Sequence, residues 1–84
     1  MFSKELFAQR IREVRKLHNE TQKALGECIG MKANNVSEME SGKKTTTSEK
    51  IAKICQHYHV SADYLLGLSD DMRGGVDRWT GDDV

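Results

Sequence analysis

The 84-residue chain has no proline, one tryptophan and two cysteines. Cys28 and Cys55 lie far apart, which makes neither a disulfide framework nor a zinc cluster. Each falls in an apolar helical context and reads as a small buried hydrophobe. Cys55, His57 and His59 form a C-x-H-x-H string. Alternate residues of a helix point about 200° apart, so the three cannot meet on one ion, and no metal is expected. No run of about 18 apolar residues occurs, so no membrane span or membrane partner is expected. The N-terminus, Met1-Phe2-Ser3-Lys4-Glu5, lacks the apolar stretch of a secretory signal, which points to the cytoplasm. Without proline, helix ends must be set by glycine and capping residues. A chain of this length makes one small domain, too small for a deep cleft between lobes.

The net charge is zero, but the charges are segregated. Residues 1–59 hold 11 Lys and Arg against 7 Asp and Glu; residues 60–84 hold 2 against 6. A local basic face is therefore permitted on the N-terminal part.

Hydrophobic spacing is helical throughout, with no strand-like alternation, so the chain is expected to be all-α with five helices. Ser3 is a good N-cap, and Phe2 and Phe7 are placed to staple the start of the first helix. Phe7, Ile11, Val14 and Leu17 are expected on its inner stripe, with Arg10, Arg12, Glu13 and Lys16 facing away and Asn19 as terminator. Thr21 caps a helix from Gln22 to Ile29, with Leu25, Cys28 and Ile29 inward and Gly30 as its stop. A third helix follows from about Ala33 to Glu40, with Val36 and Met39 inward and Ser41-Gly42 closing it. Thr46 and Glu49 have capping-box spacing for a fourth, which buries Ile51, Ala52, Ile54, Cys55 and Tyr58. Ser61 caps a short fifth, Ala62 to Leu66, stopped by Gly67. The division expected is a domain over 1–68 and an acidic, flexible tail over 69–84 holding Trp79.

The helix–glycine–helix step at Gly30 is the informative feature, because two short helices so joined form a helix-turn-helix. The third helix turns Ala33, Asn34, Ser37 and Glu38 outward, with Asn35 at the flank. Their short polar ends suit base edges: Asn pairs with adenine and Glu accepts from the cytosine amino group. Phosphate-binding candidates surround them: Gln22 at the start of the second helix, and Lys43, Lys44, Thr45 and Thr46 after the third. Arg10 is a weaker one. Lys32 stands at an N-cap, where Ser, Thr, Asp or Asn would stabilise by about 1 kcal/mol, and its charge opposes the helix dipole. A bound phosphate would account for it.

The run Thr21-Gln22-Lys23-Ala24-Leu25-Gly26-Glu27-Cys28-Ile29-Gly30 resembles the second helix of the Cro/repressor-type helix-turn-helix (XRE) family. Val36-Ser37-Glu38-Met39-Glu40-Ser41-Gly42-Lys43 resembles the end of its recognition helix. Val60-Ser61-Ala62-Asp63-Tyr64-Leu65-Leu66-Gly67 is similar to its last helix, and Arg15 matches an arginine typical of its first. The likeness covers roughly Leu6 to Leu68. It implies a five-helix, lambda-repressor-like DNA-binding domain that binds a double-stranded operator as a homodimer and usually represses transcription. It also implies a bacterial or phage-encoded protein and an internal ion pair between Arg15 and Glu40. The positions matching base contact are Ala33, Asn34, Ser37 and Glu38; those matching phosphate contact are Gln22, Asn35, Ser41 and Lys43. The sequence departs from the family at Glu20, where an apolar residue is usual, and at Gly26, where alanine is usual, a helix-propensity cost of about 1 kcal/mol. It departs also at Lys32, and at Glu38, which puts a negative charge on the reading face.

A sequence-specific DNA-binding regulator, a repressor in the first instance, is the expectation. The alternative is an antitoxin or protein-interaction module built on the same bundle, with the tail and Trp79 as a possible partner contact. Dimer contacts are expected near Tyr64, Leu65 and Leu68. No catalytic residue and no cofactor are expected: His18, His57 and His59 sit at helix ends, and no Walker-type loop occurs, since Gly74-Gly75 follows no strand.

Overall fold

The Ser3 hydroxyl accepts from the Leu6 amide at 3.1 Å, and the Phe2 and Phe7 rings meet at 5.8 Å, so the chain starts its first helix at a capped and stapled end. The fold is that of a computed structural model, which describes residues 2–72. Five helices follow in order, with no strand among the described residues: α1 (Lys4–Leu17), α2 (Gln22–Ile29), α3 (Ala33–Glu40), α4 (Ser48–Tyr58) and α5 (Ala62–Leu66). α1 packs on α3 and α5, α4 packs on α2 and α5, and α2 lies against α3. Residues 73–84 lie outside the described residues, and with them Trp79 and the Gly74-Gly75 pair.

The core joins Phe7, Ile11 and Val14 of α1 to Leu25, Ile29, Val36, Met39, Ile54, Tyr58, Val60, Tyr64 and Leu65. The glycine stops stand where expected: Gly30 and Gly67 take φ of 77° and 84°. Asn19 also turns left-handed, at φ 55°.

Several expectations of burial or capping are not met. Leu17 is 62% exposed. The buried stripe of α1 runs through Ala8 and Arg15, and about 100° per residue leaves Leu17 roughly 120° from its centre. Cys28 is exposed because Gly26 takes the inward place on α2, directly beneath the Met31 carbonyl. Cys55 is only half-buried, and burial pushes its thiol pKa up. Thr47, not Thr46, caps α4, its hydroxyl accepting from the Lys50 amide at 3.3 Å, while the Thr46 hydroxyl points at the Met31 sulfur. Ile51 is only half-buried and Ala52 is exposed.

The ordered packing also continues past Leu68. Arg10 Nη1 donates to the carbonyls of Tyr64 and Ser69 at 2.6 and 2.7 Å, and Nη2 reaches Asp70 at 2.9 Å. Its guanidinium lies 4.2 Å over the Tyr64 ring, and the Ser61 amide donates to the Met72 carbonyl at 2.8 Å. Residues 69–72 are thus fastened to the bundle. Arg10 is committed to this task rather than open to a phosphate. Tyr64, whose hydroxyl donates to Glu13, and Leu65 are core residues, so of the three expected dimer contacts only Leu68 is exposed.

Candidate nucleic-acid interface

α2 ends at Gly30, and the Met31 amide bonds back to the Gly26 carbonyl at 2.8 Å. This tight turn is possible because position 26 has no side chain: a Cβ there would stand 2.3 Å from the Met31 carbonyl oxygen. The chain then enters α3 through Lys32, whose extended backbone (φ −75°, ψ 154°) carries no side-chain cap. The Asn35 and Val36 amides bond to the Lys32 carbonyl at 3.0 Å. The amides of Ala33 and Asn34 precede that ladder, at the positive end of the helix dipole.

One side of α3 is buried through Val36, Met39 and Glu40. The opposite side exposes Ala33, Asn34 and Ser37, as the spacing requires. Glu38 and Asn35 are half-buried at its edges. Behind the helix, Arg15 Nε and Nη2 clasp Glu40 Oε2 and Oε1 at 2.7 and 2.9 Å. Arg15 Nη1 donates to the Glu20 carbonyl at 2.7 Å. A two-pronged ion pair with side chains 11% and 2% exposed fixes α3 to α1. The hydrogen bond to Glu40 raises the Arg15 pKa further.

The phosphate candidates divide. Lys32, Lys43 and Thr45 are exposed, and no ion pair holds either lysine among the described residues. Gln22 gives one of its two amide hydrogens to Glu40 Oε1 at 3.2 Å. The Ser41 hydroxyl is spent on the Glu38 carbonyl at 2.9 Å. Lys44 is spent on Glu38, at 3.0 Å.

Sequence reading missed the setting of Glu20. Its carboxylate accepts from the Tyr58 hydroxyl at 2.9 Å and meets His57 Nε2 at 3.0 Å. The His57 bond holds its pKa below the usual carboxylate value, and the Tyr58 bond adds to this. Cys28 Sγ lies 3.5 Å from the same nitrogen. A charge at a position expected to be apolar was the signal that a partner must exist. Among the described residues no three His, Cys, Asp or Glu side chains are grouped to hold a metal ion, and no helix is long and apolar enough to cross a membrane.

This arrangement recurs in known proteins. The chain is 36% identical over 73 residues to the uncharacterized HTH-type transcriptional regulator YobD of Bacillus subtilis, a match covering 87% of this chain and 65% of that protein. It is 31% identical to the antitoxin PezA of Streptococcus pneumoniae over 88% of this chain and 46% of that protein. It therefore spans less than two thirds of either relative. The P22 c2 repressor, solved with synthetic operator 9T, superposes with a TM-score of 0.68 at 30% identity, covering 71% of this chain and 91% of the repressor. The Helix-turn-helix family profile matches residues 11–65, from the middle of α1 into α5. That match spans the bracing arginine, the Gly30 turn and the whole of α3, and with it the chain belongs to the Cro/repressor-type (XRE) helix-turn-helix family.

Proposed function

We propose that the chain is a sequence-specific, double-stranded DNA-binding transcriptional regulator that lays α3 in the major groove of a palindromic operator as a homodimer and acts as a repressor. The observation that carries this reading is the exposed face of α3, where Ala33 stands beside the polar Asn34 and Ser37, held from behind by the Arg15–Glu40 pair. Eight residues at 1.5 Å each give a helix of about 12 Å, matched to a groove about 12 Å wide. Asn34 is suited to adenine and Glu38 to cytosine. Lys32, Lys43 and the first amides of α2 and α3 are the groups for flanking phosphates, with Asn35 and Thr45 beside them. Lys32, an uncapped cation at a helix start, gains a partner on this reading. The P22 c2 repressor's operator complex supports it. Leu68 is the surface residue assigned to dimer contact.

The second reading, an antitoxin or protein-interaction module, is favoured by the likeness to PezA. Selection of duplexes from a random pool at roughly 0.15 M salt separates the two. Enrichment of a two-fold symmetric motif with half-sites about 10 base pairs apart is expected. Folded protein that enriches nothing sinks the DNA reading and favours the protein partner.

A further inference from the structure

Glu38 carries the wrong charge for a surface that meets phosphates. The counter-charge comes from outside the helix: Lys44, in the turn between α3 and α4, places Nζ 3.0 Å from Glu38 Oε1. The turn is fastened to the same residue. The Lys43 amide and the Ser41 hydroxyl both donate to the Glu38 carbonyl, at 3.1 and 2.9 Å. The Lys44 side chain is 61% exposed and that of Glu38 40%, so the pair does little for stability. Its consequence is local. The carboxylate is paired with a cation at Oε1.

A carboxylate so held still accepts a hydrogen bond, but it no longer presents a net negative charge to the flanking phosphates. In the major groove the acceptor's natural partner is the N4 amino group of cytosine. We propose that Lys44 is a specificity-determining residue, which positions Glu38 to read a C·G pair, and is not a phosphate contact. This rests on the DNA-binding reading above. It separates two adjacent lysines that look alike in sequence: Lys43, which has no ion pair among the described residues, meets a phosphate, and Lys44 serves a base.

The two roles leave different signatures in salt. Each phosphate contact contributes about 0.9 to the slope of log affinity against log salt. Removing Lys43 lowers the slope by about one. Removing Lys44 leaves it unchanged, because its charge is already matched by Glu38. Removing the charge of Glu38 frees Lys44 to find a phosphate, so the slope rises by about one.

The test uses the full chain, the selected duplex and versions of it substituted at each base pair. Binding is followed by fluorescence anisotropy at several salt concentrations, and each variant's fold is checked by circular dichroism. Lys44→Ala is expected to cut the preference for C·G at one position by about tenfold with the slope unchanged. Glu38→Gln is expected to lose the same preference and steepen the slope by about one. Adding Lys44→Ala to Glu38→Gln is expected to return the slope to its original value. If Lys44→Ala lowers the slope as Lys43→Ala does and leaves every base preference intact, the proposal is overturned while the DNA-binding reading stands. Wild-type protein with no preference among duplexes overturns that reading itself, and this proposal with it.

Discussion

A methyl group on Gly26 would stand 2.3 Å from a backbone oxygen, that of Met31, in the turn that joins the two helices of the motif. Propensity alone says that Gly26→Ala gains about 1 kcal/mol. The close approach reverses the sign, and the variant is expected to be less stable by about 1–3 kcal/mol. Thermal unfolding decides it: a melting temperature equal to or above wild type would show that the turn yields easily. Glu20 gives the second residue-scale prediction. Its carboxyl pKa is held down first by the hydrogen bond from His57, then by that from Tyr58, while burial opposes both. A depressed folded value means that its contribution is full above the ordinary 4.5 and is lost as pH falls through the folded value. Wild type is therefore expected to lose stability faster than Glu20→Gln between about pH 5 and pH 3. Parallel acid limbs for the two proteins would remove the interaction from the account. His18, which also lowers the Glu20 pKa by its charge, and Arg15, bonded to the Glu20 carbonyl, are present in both proteins.

At the scale of elements, α3 is an eight-residue helix that buries only Val36, Met39 and Glu40. Two apolar side chains are a thin anchor for an element that must keep its angle, and the Arg15–Glu40 clasp supplies the rest. Truncating Arg15 to alanine leaves a carboxylate that is 2% exposed with no counter-charge and only the Gln22 amide as donor, and leaves the Glu20 carbonyl without the guanidinium. A loss of about 3–5 kcal/mol is expected. Urea unfolding measures it, and a midpoint within error of wild type would mean that water or a neighbour replaces the guanidinium. Replacing the pair together, Arg15→Met with Glu40→Leu, is expected to recover most of the stability, since no buried charge then remains.

At the scale of the molecule, Arg10 ties the two ends of the described chain together. It reaches from the middle of α1 to the carbonyls of Tyr64 and Ser69 and to Asp70, and the Met72 carbonyl closes on the Ser61 amide. Arg10→Ala is expected to cost about 1–3 kcal/mol through its lost charged hydrogen bonds. It is also expected to speed amide hydrogen exchange at Ser61 more than at core amides such as Leu25. Equal acceleration at both sites would indicate global destabilisation and no separate fastening.

Local patterning determined much of this protein. The bounds of α2 and α3, the left-handed stops at Gly30 and Gly67, the caps at Ser3, Thr21 and Ser61 and the exposure of Ala33, Asn34 and Ser37 all follow from spacing and from capping chemistry within a few residues. The resemblance added the Arg15–Glu40 pair, which no local rule contains, since 25 residues separate its members. Tertiary structure alone decided the rest. Gly26 turned inward in place of Cys28 because a carbonyl five residues later needed the space. Arg10 left the surface because the carbonyls of Tyr64 in α5 and of Ser69 beyond it needed a donor. Lys44 turned to Glu38, and Glu20 found His57 and Tyr58 across 37 and 38 residues. A charged or polar side chain states in the sequence only that it needs a partner; which partner stands within about 3 Å is settled by how the helices pack.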